Sequence, residues 1–187
     1  MDEQLNEKIE ESRMLMDEAI EHLEKQLLKI RTGKASPAML GGINVEYYGS
    51  PTPLSQVANI GTSDARTLNI QPWEKTMLAP IEKSIFEANL GLTPMNNGEM
   101  IIINVPPLTE ERRREYAKMV KSEGEKAKVS VRNARRDAME AIKKEVKDGY
   151  PEDAGKRLEE EVQKIVNSLS TKIDGIVDAK EDEVMTI

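Results

Sequence analysis

The sequence predicts an α+β protein, a three-helix bundle with a small α/β domain of β/α/β order inserted between its first two helices. Three long segments repeat their apolar residues with the period of an amphipathic helix, and the stretch between the first two does not. Aromatic residues make up only 3% of the chain, which suits a helical core better than an all-β sandwich.

Each of the three predicted helices carries one apolar stripe. The first ends near Arg31–Gly33, where glycine suits a C-cap, and the second starts at the N-cap Thr109 and runs to about Lys147. The third follows the break at residues 148–151. A single stripe leaves an isolated helix unstable, so we expect residues 1–31 and 106–187 to form one bundle. The stripes comprise Ile9, Met16, Ile20, Leu23, Leu27 and Ile30; Tyr116, Val120, Gly124, Ala127, Val131, Ala134 and Ala138; and Leu158, Val162, Ile165, Leu169, Ile173 and Ile176.

Residues 32–105 form the predicted inserted domain. Residues 43–47 alternate as a strand does, residues 49–53 read as a turn, and a helix is predicted at 75–88. Further short strands are predicted at 57–60, 67–71 and 100–105. The chain crosses between the two domains twice, through segments rich in Gly and Pro. We therefore predict a hinge at Thr32, Gly33, Asn104, Val105, Pro106 and Pro107.

Charge is distributed unevenly along the chain. The net charge is −7, yet residues 112–136 hold ten Lys or Arg against three Glu. On the second helix, basic residues recur at steps of three, four and seven, about a quarter turn from the apolar stripe. This pattern suits an anion with repeated charges, such as a phosphate backbone. The basic stripe comprises Arg114, Lys118, Lys121, Lys128, Arg132 and Arg135, and Arg112, Arg113 and Arg136 extend its ends.

Two alternatives to RNA binding remain at this point. The basic residues could be a solvated face, neutralised by acidic residues of the first and third helices. They could also bind an acidic protein, as in a helical scaffold or chaperone. If the ligand is RNA, the absence of interleaved aromatic residues disfavours a base-stacking single-strand binder and favours structured RNA, recognised through its backbone.

Catalytic and cofactor sites find little support in the sequence. The single His22 lies off the apolar stripe, and one histidine does not form a triad or a metal cluster. Residues 32–35 read TGKA, which lacks the upstream glycine and the Ser or Thr of a phosphate loop. A hydrolase would need a clustered acid–base site in the central domain, and none is apparent. We therefore expect no enzyme activity and no cofactor.

The lack of cysteine and of long apolar runs suggests the compartment in which the protein works. It contains no cysteine, so disulfides and thiolate metal sites are excluded. Its acidic, amphipathic start resembles neither a signal peptide nor a transit peptide, and no apolar run approaches the roughly 20 residues that span a bilayer. We expect a soluble, cytoplasmic monomer with no membrane partner.

Four stretches, in this order, resemble the ribosome recycling factor family. They are RTGKASP at residues 31–37, EYYGSPTPL at 46–54, PPLTEER at 106–112 and VRNARRD at 131–137. Each motif is weak alone, but four in order at matching spacing are specific, and the resemblance covers essentially the whole chain. The family pattern usually has Arg where this chain has Lys34, which would weaken any bidentate contact there.

The resemblance implies an L-shaped molecule of tRNA-like dimensions with a hinged central domain. It implies binding to a post-termination ribosome across the tRNA sites of the large subunit. It also implies joint action with elongation factor G, whose GTP hydrolysis drives subunit separation and release from mRNA. The positions that match the family's RNA-contacting arginines are Arg31, Arg112, Arg132, Arg135 and Arg136.

Overall fold

The computed structural model of the protein describes residues 2–186, which divide into two units. One unit contains residues 2–30 and 113–186, and the other contains residues 31–112. The helices are α1 (Asp2–Leu28), α2 (Leu54–Val57), α3 (Leu78–Glu87), α4 (Glu110–Lys147) and α5 (Glu152–Met185). The strands are β1 (Asn44–Tyr47), β2 (Ser50–Pro53), β3 (Ala58–Asp64), β4 (Thr67–Pro72), β5 (Pro94–Asn96) and β6 (Ile101–Asn104).

Helices α1, α4 and α5 pack around one apolar core, which confirms the predicted bundle. Every residue of the three predicted stripes is buried in this core or packs against it, apart from Gly124, which is also buried. Gly124 allows a close approach of α4 and α5, because a Cβ at this position would lie 2.5 Å from Cγ2 of Val177. The small residues of the α4 stripe therefore bring the two helices together, as the sequence suggested.

The ends of α4 agree with the prediction, whereas the end of α1 does not. The Thr109 hydroxyl accepts a hydrogen bond from the Arg112 amide at 3.2 Å, as expected of an N-cap. At the other end, Gly149 has a φ of +109°, and the chain leaves α4 after Lys147. Helix α1, however, ends at Leu28. The amides of Lys29 and Ile30, which follow α1, donate to carbonyls only three residues back and so tighten the last turn. Gly33 therefore lies too far along the chain to be the C-cap.

The second unit contains a four-stranded antiparallel sheet in the order β3-β4-β6-β5 and a separate β1-β2 hairpin. Its core includes Val45 of the hairpin, Leu68, Ile70, Ile101 and Ile103 of the sheet, and Ile81 and Ile85 of α3. The predicted strands at 43–47, 67–71 and 100–105 correspond to β1, β4 and β6, and every end agrees within one residue.

Three details of this unit differ from the sequence prediction. Residues 50–53, predicted as a turn, form β2, which pairs only with β1 and so tolerates its two prolines. The turn itself is Tyr48–Gly49, both with positive φ, as in a two-residue type I′ hairpin. The predicted strand at 57–60 starts one residue later, after the single turn of α2, and extends to Asp64.

Strand β5 and the start of α3 also differ from the sequence prediction. Strand β5 was not predicted, because three residues that begin with proline carry little alternation. The predicted helix at 75–88 begins instead as a 3₁₀ turn at Lys75–Met77, before α3.

Candidate nucleic-acid interface

Helix α4 is 38 residues long, so it extends about 57 Å and presents its basic stripe along much of that length. Seven of the nine predicted RNA-binding residues lie on α4 within the bundle unit: Arg114, Lys118, Lys121, Lys128, Arg132, Arg135 and Arg136. Arg112 lies in the first turn of α4 but falls in the second unit, and Arg31, which is half-buried, follows α1 in that same unit. Of the seven, only Lys128 and Arg135 are half-buried, and the others are exposed.

Acidic residues of α5 pair with the middle of the basic stripe. Nζ of Lys128 lies 2.6 Å from Oδ1 of Asp174, and Nζ of Lys121 lies 3.7 Å from Oε1 of Glu181. The hydrogen bond to the Asp174 carboxylate raises the pKa of Lys128 above its ordinary value, against the opposing effect of desolvation. Lys128 is therefore compensated by a hydrogen-bonded carboxylate, as the solvated-face alternative anticipated. Lys121 is compensated less, because its contact is an ion pair beyond hydrogen-bond distance, and Oε1 of Glu181 has no hydrogen-bond partner in the described structure.

In the C-terminal half of the basic stripe, carboxylates neutralise less of the positive charge. Arg132 approaches Glu125 of its own helix at 3.8 Å, but both side chains are well exposed, so the pair contributes little. Arg136 forms no ion pair or side-chain hydrogen bond with any described residue. Nε of Arg135 is buried without a hydrogen-bond partner in the described structure, which leaves a donor unsatisfied.

A groove of about 640 Å³ lies along this half of α4, and we call it the basic groove. Four cations line it against two carboxylates, so its net charge is positive. An anion with more than one charge, such as successive phosphates, suits this arrangement. The lining residues are Val129, Arg132, Asn133, Arg135, Arg136, Met139, Glu140 and Lys143 of α4 and Glu159 of α5.

Lys143 was not predicted as a site residue, although the sequence contains the signal. It lies seven residues after Arg136 and eleven after Arg132, so it continues the same face of the helix. The local excess of positive charge ends at Arg136, so the predicted basic stripe stops there. The structure places Lys143 in the basic groove beside both arginines.

Arg113 does not extend the basic stripe, contrary to the prediction. Only 7% of its surface is exposed, and its Nη1 donates hydrogen bonds to the carbonyls of Val184 and Thr186, each at 2.8 Å. A guanidinium at the C-terminus of α5 is favoured by the negative end of the helix dipole. Arg113 therefore closes the end of the bundle.

The predicted hinge residues have different surroundings. Gly33 has a φ of +81°, a conformation that glycine adopts without strain. In the second crossing, Asn104 belongs to β6, and the buried Val105 donates its amide to the Arg66 carbonyl at 2.7 Å. Pro106 and Pro107 lie outside any helix or strand and are exposed.

The described residues were also compared with the requirements of a histidine site, a metal site and a membrane span. His22 is exposed at the edge of a separate groove between α1 and α4, as expected for a surface residue. Within residues 2–186, no group of three or more His, Asp or Glu is arranged to hold a metal ion. The described helices include none with the length and apolar character needed to cross a membrane.

Comparison with known proteins identifies the family. The sequence matches the ribosome recycling factor family over residues 23–185. The ribosome-recycling factor of Flavobacterium johnsoniae is 56% identical over all 187 residues and over its own full length. The chain belongs to the ribosome recycling factor family. The factor of Porphyromonas gingivalis is 52% identical over 185 residues, which cover 98% of this chain and all of the relative.

Solved structures of family members agree with this fold. The solution structure of a ribosome recycling factor, 38% identical, matches with a TM-score of 0.82 over 98% of each chain. A second match is the T. thermophilus ribosome recycling factor, described with E. coli elongation factor G as bound to the E. coli post-termination complex. It is 42% identical, with a TM-score of 0.68 over 97% of this chain and 99% of that one. The family assignment places this chain among the translation factors of ribosome recycling, a step of protein biosynthesis, rather than among classical enzymes.

Proposed function

We propose that this protein binds the post-termination ribosome across the tRNA sites of the large subunit. There, with elongation factor G and GTP, it promotes subunit separation and release from mRNA. It acts in the cytoplasm, as a monomer, without a cofactor or catalytic residues of its own. The observation that carries the proposal is the basic face of α4, a row of cations along a helix that packs in the three-helix bundle.

Ribosomal RNA is the anion that best fits this face. The bundle holds the cations at fixed positions, because each lies on a helix whose neighbouring apolar face is buried. A fixed row of this kind recognises the backbone of folded RNA by position, and an exposed aromatic platform for stacked bases is missing from the described part of the stripe. The known partners of a relative support the same ligand, since the T. thermophilus factor is described on a post-termination complex.

Recycling activity is tested by splitting purified post-termination ribosomes. The chain, elongation factor G and GTP together should separate the subunits, and omission of any one of the three should leave them joined. Light scattering or sucrose-gradient sedimentation measures the separation. Subunits that separate equally well without this chain would contradict the proposal.

The RNA contact is tested by removing single cations from the basic groove. Arg132→Ala and Arg135→Ala should each weaken binding to purified large subunits and lower the log–log salt slope by about one unit, because each removes one phosphate contact. Lys164→Ala, at an exposed lysine of α5, is the matched control. Helicity and melting should stay unchanged in all three. Wild-type affinity in both arginine variants would exclude this face.

The hinge is a second part of the proposal. We infer that the second crossing bends at Pro106 and Pro107, since Asn104 and Val105 are held by the hydrogen bonds of the central domain. Elongation factor G would then move the central domain while the bundle stays anchored by its charge. The chain has no native cysteine, so a disulfide engineered across the junction should leave ribosome affinity intact and abolish splitting until it is reduced. Splitting at the wild-type rate by the locked protein would show that the crossings are passive linkers.

A further inference from the structure

Two carboxylates of α5, Asp174 and Glu181, contact cations of the basic stripe that have no other ion-pair partner among the described residues. They are seven residues apart, as are Lys128 and Lys121, so the two pairs recur once per two turns along the contact between α4 and α5. Each pair joins one mostly buried side chain to one exposed side chain: Glu181 is 22% exposed and Lys121 70%, whereas Lys128 is 26% exposed and Asp174 57%. The pairs therefore belong to the packed helix contact as well as to the surface.

These pairs interrupt the basic stripe in its middle. Lys121 and Lys128 span about 10 Å of helix, which is enough for two phosphates of an extended strand. Cations with no carboxylate from another helix lie on both sides, at Lys118 and at Arg136, so the interruption falls between two regions able to bind anions. Any RNA that follows the whole stripe must displace both carboxylates or pass beside them.

We propose that Asp174 and Glu181 are specificity-determining residues that exclude flexible single-stranded RNA from α4. This inference rests on the proposed function, since it concerns the same RNA-binding face. A flexible strand adapts to whatever cations are free, and a continuous row of them would bind any RNA of the cell. Folded ribosomal RNA holds its phosphates at fixed positions, so its affinity depends on the cations that these phosphates contact. Release of Lys121 and Lys128 elsewhere on α4 should therefore raise that affinity little.

Binding of polyuridylate and of purified large subunits separates these two kinds of ligand. The variant Asp174→Asn with Glu181→Gln keeps the size of both side chains and releases both lysines. Each additional phosphate contact with a single strand steepens the log–log salt slope by about 0.7. From equal affinities at 1 M salt, one such contact therefore gives about 5-fold tighter binding at 0.1 M salt. Polyuridylate should thus bind the double variant about 25-fold more tightly, while affinity for large subunits changes by less than about 2-fold.

The matched control is Asp178→Asn with Asp182→Asn, which removes the same charge from α5. Both aspartates are exposed, and neither side chain pairs with a described cation. This control should raise polyuridylate affinity far less than the first variant, because it releases no lysine. Adding Lys128→Met to Asp174→Asn should return polyuridylate affinity to the wild-type value. That reversal would assign the gain to the Lys128 pair.

Three results would overturn the inference: unchanged polyuridylate affinity in the first variant, an equal gain in the control variant, or an equal gain for large subunits. The last would mean that Lys121 and Lys128 meet ribosomal RNA and that α5 only weakens the contact. Failure of the proposed function would look different. In that case the wild-type chain would not bind large subunits at all, whereas the polyuridylate comparison would still be readable.

Discussion

Replacement of Gly124 by alanine sets two physical effects of opposite sign against each other. Alanine favours a helix over glycine by about 0.8–1.0 kcal/mol, so the change should stabilise an open site. At Gly124, however, the new methyl carbon would lie 2.5 Å from Cγ2 of Val177, where ordinary carbon contacts lie about 3.5–4 Å apart. Val177 is β-branched and has one favoured rotamer in a helix, so the overlap is relieved only by moving α5.

The change in unfolding free energy is the difference between the cost of overpacking and the gain in helix propensity. Overpacking of this kind costs about 1–3 kcal/mol, which outweighs the helix propensity in most of its range. We therefore expect Gly124→Ala to be destabilising by up to about 2 kcal/mol. Gly175→Ala in α5 is the matched control, since no atom lies within 4 Å of its Cβ position, and it should stabilise the bundle by about 1 kcal/mol.

Urea denaturation followed by circular dichroism measures both variants. Both changes gain the same helix propensity, so the difference between their unfolding free energies isolates the contact with Val177, at about 1–3 kcal/mol. Gly124→Ala with the stability of Gly175→Ala would show that α4 and α5 do not approach as closely as the structure has them.

Three further predictions concern other contacts. Arg113→Met should lower the free energy of bundle unfolding by about 1.5–3 kcal/mol, because it removes charged hydrogen bonds to the end of α5; a wild-type urea midpoint would contradict this. Leu23→Ala, at a fully buried core position, should cost about 2–5 kcal/mol, whereas Leu15→Ala on the exposed side of α1 should cost under about 0.5 kcal/mol in the same assay. Hydrogen bonds to the Glu74 carboxylate raise the pKa of Tyr47 and Tyr48 above 10.0, so Glu74→Ala should lower both pKa values, as ultraviolet or NMR titration measures. Since the folded state holds these protons longer, stability should fall as the pH rises above 10, and less so in Glu74→Ala.

The bundle could be predicted closely from the sequence because its signal is long and periodic. Each stripe repeats over about five to six turns, so a single misplaced residue does not change the phase. The central domain was less predictable because its elements are short. Strand β2 holds two prolines, which read as a turn until its pairing with β1 alone is known.

Arg113 is a position at which charge alone predicts the wrong location for a side chain. It was assigned to the basic stripe because it is charged and adjacent to Arg112 and Arg114. Its position, seven residues before Val120, puts it in phase with the buried face instead. Periodicity was the better guide at this position, since the carbonyls at the end of α5 supply the partners that let a guanidinium be buried.

Lys143 belongs to the candidate site by its helical phase, and a pair of variants tests this assignment. Lys143 lines the basic groove, whereas its neighbour Lys144 is also exposed but is absent from the groove lining. Lys143→Ala should therefore weaken binding to large subunits and reduce the log–log salt slope by about one unit, while Lys144→Ala leaves both unchanged. The two variants remove the same charge from the same turn of α4, so net charge alone predicts equal losses. Equal losses would show that long-range attraction, rather than the geometry of the basic groove, determines binding at this end of α4.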